Sequence, residues 1–144
     1  ILIFPHQLPA ACELVKLLPN QPFVLDHMAK PDIEHHNISN WKHDFDALAQ
    51  HENVVCKLSG LVTEAKWNVW HQRDFTPYLD AALDAFGPAR LLYGSDWPVC
   101  LLSAEYAEVL CIANSLIDRV SLHEAKAIRG TNAAQFYGLQ AEQP

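Results

Sequence analysis

Four short apolar runs, each followed by a helix-like stretch, constrain the fold of this chain more than any other feature. The runs contain few polar residues and show no alternation, a pattern typical of parallel strands that lie under helices and are buried on both faces. The repeated β-α order predicts an α/β fold, either an open doubly wound sheet or a closed barrel, and periodicity does not choose between them. The four predicted strands are Ile1–Phe4, Phe23–Asp26, Val54–Ser59 and Leu91–Ser95.

The stretches between these runs carry apolar residues at helical spacing. Trp41 falls on the apolar side of one of them, so we expect it in the core. Gly87 followed by Pro88 is a stop signal that ends another helix. Helices are predicted near Pro9–Leu18, from a capping Ser39 to about Gln50, and over Phe75–Phe86, with two or three more after the last strand.

Composition excludes several classes of protein. The formal charge is −7 and no lysine or arginine cluster offsets it, so we expect no nucleic-acid partner. The apolar runs are too short to cross a bilayer, which predicts no membrane partner. The 4 cysteines are far apart and form no CxxC pair, as expected of a cytoplasmic protein without disulfides. With 50% hydrophobic residues, the chain can bury a substantial core.

The first residues of the chain read as the inside of a strand. The first residues do not have the pattern of a basic leader followed by an apolar stretch and a small-residue cleavage site. We therefore expect the protein to extend upstream of this sequence.

Polar or ionisable side chains follow three of the four predicted strands. His27 comes after the second strand, Lys57 and Ser59 close the third, and Asp96 follows the fourth. The carboxyl ends of parallel strands form one face, where catalytic groups gather. We predict that His27 and Asp96 meet there, where they could hold a divalent metal or activate a water molecule.

Each of these residues also has a purely structural interpretation. An Asp after a strand is often a cap or a turn former, and a single His is often a packed residue. Gly94 and Pro98 on either side of Asp96 favour a deliberately placed carboxylate, because one permits close approach and the other enforces an extended loop. Lys57 is costly to bury without a partner, but it could also extend its ammonium out of the strand end.

Other histidines and tryptophans are weaker candidates. His6 lies in a loop after the first predicted strand, where a site role is open. Trp67, Trp70 and Trp97 follow strands and could line the mouth of a pocket. No ligand role is expected for the histidines in polar loops and on solvated helix faces, namely His35, His36, His43, His51 and His71.

Four strings of this sequence, in order and spacing, resemble the amidohydrolase-related lactonases. This branch of the amidohydrolase superfamily includes hydrolases of L-fuconolactone and L-rhamnonolactone and the pyrone-dicarboxylate lactonase. The resemblance covers nearly the whole chain, and GSDWP and DHMAKP are its more specific parts. The strings are FVLDHMAKP at Phe23–Pro31, NVVCKLSGL at Asn53–Leu61, FGPARLLYGSDWPV at Phe86–Val99 and GTNAAQFYGL at Gly130–Leu139.

The resemblance implies a (β/α)₈ TIM barrel of which residues 1–144 supply the carboxyl-terminal half, strands five to eight. Asp96 matches the strand-eight aspartate, which is the general base of the family and contacts metal where metal is bound. His27 matches the strand-six histidine, a second potential metal ligand. Lys57, Ser59 and Trp97 match strand-end positions that face the substrate.

The same resemblance leaves the cofactor open. The strand-one His-x-His pair of the family is not in this sequence, and His6 is a poor match to a strand-five metal histidine. One divalent metal, such as zinc, or none is therefore expected.

Three functions remain after sequence analysis. The leading hypothesis is hydrolysis of a sugar-acid lactone by water that Asp96 deprotonates, with His27 stabilising the oxyanion and a small-molecule lactone as the partner. A decarboxylase or another hydrolase of the superfamily is the second, and an inactive structural fragment is the third. Four strands would leave two open edges, so self-association or a missing amino-terminal half is also expected.

Overall fold

A parallel sheet of three strands organises the fold. The structure, a computed structural model, describes residues 1–139. Within these residues the strands are β1 (Phe23–Leu25), β2 (Val54–Leu58) and β3 (Leu91–Tyr93), and they lie side by side in that order. Leu25 pairs with Cys56, and Cys56 in turn with Leu91, so the three strands are in register and their carboxyl ends face the same side.

Helices follow each strand, as the sequence predicts. The helix that follows β2 and precedes β3 ends at Phe86, before Gly87 with its φ of +64°, which confirms the predicted stop. Short 3₁₀ turns follow β1 and β3. The helices are α1 (Leu8–Leu17), α2 (Ser39–Ala49), α3 (Leu61–Glu64), α4 (Gln72–Phe86), α5 (Tyr106–Ile117), α6 (Leu122–Lys126) and α7 (Asn132–Tyr137). None of them, over residues 1–139, has the length and apolar composition needed to span a bilayer.

The two faces of the sheet are buried to different extents. Along β2, Val54, Cys56 and Leu58 are buried against the helices, whereas Val55 and Lys57 on the opposite face are only half-buried. Sequence analysis predicted burial on both faces. The difference arises because, within residues 1–139, the helices pack mainly on one face of the sheet and leave the other face more open to solvent.

The predicted strand at Ile1–Phe4 is wrong. Of these residues Ile1 alone hydrogen-bonds to the sheet: its amino group donates to the carbonyl oxygen of Val24 at 2.6 Å, and its own carbonyl accepts from the Asp26 amide at 2.8 Å. The Phe4 amide donates to the Gln7 side chain at 2.9 Å. Pairing stops after Ile1 because β1 ends at Leu25, and both segments then enter 3₁₀ turns, at Asp26 and at Pro5.

The predicted cap at Ser39 is also wrong. Ser39 is the first residue of α2, and in the part of the chain that the structure describes its side chain makes no capping hydrogen bond. Ile38 already has helical backbone angles, and its carbonyl accepts from the Lys42 amide at 2.8 Å. The first turn therefore closes one residue earlier than the serine suggested.

An aromatic cluster between α2 and α4 forms the centre of the core. The rings of Trp41 and Phe45 lie 4.4 Å apart, and Phe45 and Phe86 lie 5.1 Å apart. Trp41 is 2% exposed, which confirms its predicted core position. Its indole N–H donates to the Met28 carbonyl at 2.8 Å, so the core also holds the loop that follows β1.

Exposed apolar side chains predict that the isolated chain self-associates. Leu14, Leu17 and Leu18 are 43%, 76% and 46% exposed, and within residues 1–139 both β1 and β3 are edge strands. Exposed apolar surface and unpaired strand edges both favour association. Sedimentation velocity should show species heavier than the 16.2 kDa chain, with less association for Leu17→Glu than for the solitary Leu122→Glu. A concentration-independent monomer would contradict this prediction.

Candidate active site

The side chains that follow the three strands converge at the carboxyl edge of the sheet. The Nε2 atom of His27 lies 3.6 Å from the Oδ1 atom of Asp96, and the two side chains are only 17% and 12% exposed. At this separation the two atoms do not bond directly, but an oxygen atom placed between them can contact both. The structure therefore brings together the two residues that sequence analysis predicted to meet.

Ser59 fixes the orientation of the His27 ring. Its Oγ atom lies 2.8 Å from Nδ1, and the residue is 4% exposed. A hydrogen bond at one ring nitrogen determines how the other nitrogen is presented, here toward Asp96. The predicted contact between Ser59 and a substrate stays a prediction, since its hydroxyl is turned toward His27.

Gly60 makes room for the His27 ring. Its φ is +66°, and a Cβ atom built there would lie 2.7 Å from both Cγ and Nδ1 of His27. Only glycine combines this backbone conformation with the required space. Sequence reasoning passed over Gly60, although a glycine at a strand end often marks a close approach.

Asp26 is a second residue of the site that sequence reasoning did not select. Its Oδ1 atom lies 3.3 Å from the Lys57 ammonium and 3.6 Å from Nδ1 of His27. This oxygen is buried and makes no hydrogen bond within residues 1–139. The pairing of Leu25 with Cys56 could have predicted it, because the next pair along the register is Asp26 beside Lys57.

Lys57 supplies positive charge at the floor of the site. Its side chain is 30% exposed and reaches Asp26, so it is neither deeply buried nor directed freely into solvent. The ion pair balances one of the two carboxylates that flank His27, since Asp26 and Asp96 lie on opposite sides of the ring. An uncompensated pair of carboxylates around one imidazole would be costly to bury.

The backbone around the site adopts left-handed conformations at non-glycine residues. His27, Met28, Ala29 and Lys30 have φ values of 50°, 52°, 57° and 52°, and Asp96 has 56°. Each such residue costs about 1–2 kcal/mol, so the surrounding structure must hold the turn in place. Strain of this kind concentrates at functional sites.

Two cysteines beside the site have thiol pKa values above the ordinary value. Burial raises the pKa of Cys56, and the charge of Asp26 raises it further. Burial likewise raises the pKa of Cys100, with an added contribution from Asp96. Thiolates are the nucleophilic and metal-binding form of cysteine, so neither residue suits such a role.

The three tryptophans that were predicted to line a pocket mouth differ in their exposure and in their hydrogen bonds. Trp97 is next to Asp96 in the chain and is 64% exposed. The indoles of Trp67 and Trp70 donate to the carbonyls of Thr63 and Ser103 at 2.9 and 3.0 Å. Of the three, Trp97 is free to contact a ligand, and its substrate role stays a prediction.

His6, the weaker histidine candidate, and the nearby Lys30 both lie outside the His27–Asp96 pair. His6 lies in a surface cleft with Asp32 and Asp44. Lys30 forms an ion pair with Glu64 at 2.6 Å, so its charge is already neutralised.

The donors at the site suit a zinc ion in kind. His27 can offer Nε2 while Nδ1 is held by Ser59, the arrangement usual for a metal-ligating histidine, and Asp96 offers a carboxylate. Catalytic zinc sites have three protein ligands, and no group of three or more possible ligands occurs within residues 1–139. The described residues therefore supply fewer ligands than a complete zinc site requires.

The parallel β/α units, with polar side chains at their carboxyl edge, have the architecture of part of an α/β barrel. The amidohydrolase family model matches residues 1–139, and the chain belongs to that family. The resemblance found in the sequence is thereby confirmed.

Curated relatives and solved structures agree with this assignment. L-fucono-1,5-lactonases from Burkholderia multivorans and Burkholderia ambifaria are 42% and 39% identical to the chain, in each case over 96% of it. The chain spans about half the length of these relatives, 50% and 49%.

A crystal structure of a Burkholderia multivorans amidohydrolase with bound zinc superposes with a TM-score of 0.93 at 42% identity, covering 97% of this chain and 52% of that one. A putative 2-pyrone-4,6-dicarboxylic acid hydrolase from Pseudomonas putida, at 22% identity and a TM-score of 0.71 over 94% of this chain and 50% of that one, supports the fold alone. The predicted partial barrel is thereby confirmed.

Proposed function

We propose that this chain forms the carboxyl-terminal half of a barrel hydrolase that opens a sugar-acid lactone of the L-fucono-1,5-lactone type. The observation that carries the proposal is the 3.6 Å approach of His27 and Asp96 at the carboxyl edge of the sheet. The substrate class is suggested by the two Burkholderia relatives named L-fucono-1,5-lactonase.

Asp96 is assigned the role of general base. Its carboxylate accepts a proton from a water molecule, whose oxygen then attacks the lactone carbonyl carbon and forms a tetrahedral species. His27 presents Nε2 to the same space and stabilises the oxygen that becomes negative in this step by donating a hydrogen bond. For that role the imidazole must carry a proton on Nε2, which Ser59 supports by accepting or donating at Nδ1.

Collapse of the tetrahedral species completes the reaction. The carbonyl re-forms, the bond between the carbonyl carbon and the ring oxygen breaks, and the ring oxygen leaves as a hydroxyl. The proton it requires is the one that Asp96 took from water, so the base returns to its starting state. The product is the open hydroxy acid, and no redox change occurs.

Substrate contacts are assigned to Lys57 and Trp97. The Lys57 ammonium is partly exposed at the floor of the site and can interact with hydroxyl groups of a sugar acid. The exposed indole of Trp97 can cover an apolar face of the sugar ring. Both roles follow from position beside Asp96 and His27.

A zinc ion at this site would be held by His27 and Asp96, with its remaining ligands from outside the described residues, and Nε2 of His27 would then be a ligand and not a hydrogen-bond donor to the oxyanion. Zinc lowers the pKa of a bound water molecule and so supplies a hydroxide near neutral pH. The zinc in the Burkholderia multivorans structure supports testing for it.

The decisive experiment measures acid release from L-fucono-1,5-lactone. The chain is assayed alone and together with the amino-terminal half of the Burkholderia multivorans lactonase, with and without zinc. We expect hydrolysis above the rate without protein in at least the combined sample, lost in His27→Gln. No acceleration in any arm would overturn the lactonase proposal, and release of carbon dioxide from an aromatic acid would favour the decarboxylase alternative.

A further inference from the structure

We propose that the ion pair of Lys30 and Glu64 is a positioning device for His27. The pair holds the left-handed turn His27–Lys30 against α3, so that the imidazole keeps its place between Ser59 and Asp96. The assignment rests on the proposed function only in giving His27 a chemical role. Neither Lys30 nor Glu64 is placed in contact with the substrate.

The turn has a backbone conformation that its own residues disfavour. Four consecutive non-glycine residues from His27 to Lys30 have positive φ, and the Lys30 amide donates to the His27 carbonyl at 2.8 Å. Left-handed backbone is unfavourable for residues with a Cβ atom, so an isolated segment would relax to another conformation. Its geometry therefore depends on contacts with other segments.

The middle of the turn is held by the core. Met28 and Ala29 are fully buried, and the Met28 carbonyl accepts from the Trp41 indole at 2.8 Å. These contacts fix the inner side of the turn. They leave its two ends, where His27 and Lys30 project toward α3, to be fixed by other groups.

Two contacts bridge the ends of the turn to the segment Ser59–Glu64. At one end Nδ1 of His27 contacts Ser59, and at the other the Lys30 ammonium donates to Glu64 Oε1 at 2.6 Å. The Lys30 and Glu64 side chains are only 23% and 20% exposed. Charge-assisted hydrogen bonds that are shielded from water are the stronger ones, so this pair is suited to act as a clamp.

Neighbouring groups also contact the two side chains of the ion pair. The Thr63 hydroxyl lies 3.5 Å from Glu64 Oε1, and the Phe4 ring lies 5.7 Å from the Lys30 ammonium. The Glu64 backbone carbonyl also accepts from the Glu34 amide at 3.0 Å, which ties the chain after the turn to the same helix. If the ion pair is broken, the side-chain hydrogen bonds from the segment Ser59–Glu64 to the turn are reduced to the contact of Ser59 with His27.

The test reads the imidazole directly. The Hε1–Cε1 correlation of His27 is recorded by NMR on the labelled chain at one fixed pH and assigned by its loss in His27→Gln. In Glu64→Gln and in Lys30→Met, we expect this signal to shift and to broaden or split, while that of the distant His123 stays unchanged. Asp46→Asn is the matched control, because it breaks the exposed pair of Asp46 with Lys42 on α2 by the same charge change.

The charge-swapped variant Lys30→Glu with Glu64→Lys provides the rescue. It should return the His27 signal toward its original position, because a clamp needs only an ion pair between the two positions. A role of Lys30 as a substrate contact gives no reason to expect this recovery. In the sample that combines the chain with the amino-terminal half of the Burkholderia multivorans lactonase, kcat should fall about 10- to 100-fold in Glu64→Gln. The change in KM should be smaller, because displacement of a catalytic group acts on the chemical step.

Each outcome decides a different claim. An unchanged His27 signal in folded Glu64→Gln and Lys30→Met overturns the clamp, as does a raised KM with unchanged kcat, which would make Lys30 a substrate contact. A shifted signal in a protein that hydrolyses no lactone keeps the clamp and removes the proposed function. If circular dichroism shows that neither single variant folds, the charge-swapped variant decides the question. A folded swap with an altered His27 signal overturns the clamp, and a folded swap that retains the original signal supports it.

Discussion

Replacing Asp96 with Asn should lower kcat for L-fucono-1,5-lactone by about 10²–10⁴-fold, the usual worth of a positioned base. The amide keeps the shape of the side chain and can still hydrogen-bond, but it cannot accept the proton from water. KM should change much less, because the lost interaction belongs to the transition state. Initial rates at several concentrations of the lactone, measured on the chain combined with the amino-terminal half of the Burkholderia multivorans lactonase, give both constants.

Folding should survive the substitution at Asp96. Its φ is 56°, a conformation that Asn tolerates as well as Asp does, so the backbone gains no new strain. Asp118→Asn, which removes an exposed carboxylate paired with Arg129, is the matched control and should keep full turnover. Near-normal kcat in a folded Asp96→Asn protein would reduce Asp96 to a structural residue and refute the assigned base.

Replacing Gly60 with Ala should lower turnover about 100-fold. The new Cβ atom would lie 2.7 Å from the His27 ring, so the ring must move away from Asp96. A misplacement of about 1 Å at a catalytic group can cost that much in rate. The free energy of unfolding should also fall by about 1–2 kcal/mol, because alanine pays for the positive φ.

Gly138→Ala separates the two effects of that change. Gly138 has φ and ψ of 64° and 30°, close to the 66° and 16° of Gly60, but no heavy atom of a non-neighbouring residue lies within 4 Å of the position that its Cβ would occupy. Urea unfolding should therefore show the cost of a positive φ in both variants, with turnover lost only in Gly60→Ala. Equal turnover in the two variants would show that the contact of Gly60 with His27 has no catalytic importance.

Sequence alone determined the order of elements and the meeting of His27 with Asp96. The strands that begin at Phe23, Val54 and Leu91 are short apolar runs bounded by helix-like periodicity, which is local information. Parallel strands place their carboxyl ends on one edge, so the residues that follow them must come close. That rule needs no knowledge of packing. The strand prediction failed at Ile1–Phe4, where Ile1 alone pairs with β1 before the chain enters a turn at Pro5.

Only the tertiary structure decided how the site is held. The contact of His27 with Ser59 joins residues 32 apart in the chain, and that of Lys30 with Glu64 joins residues 34 apart. Periodicity and propensity describe neighbours along the chain, and they do not specify which distant side chains touch or where a Cβ atom would clash. The left-handed turn likewise contradicts the local preference of its residues. It persists because buried contacts from other segments outweigh that preference.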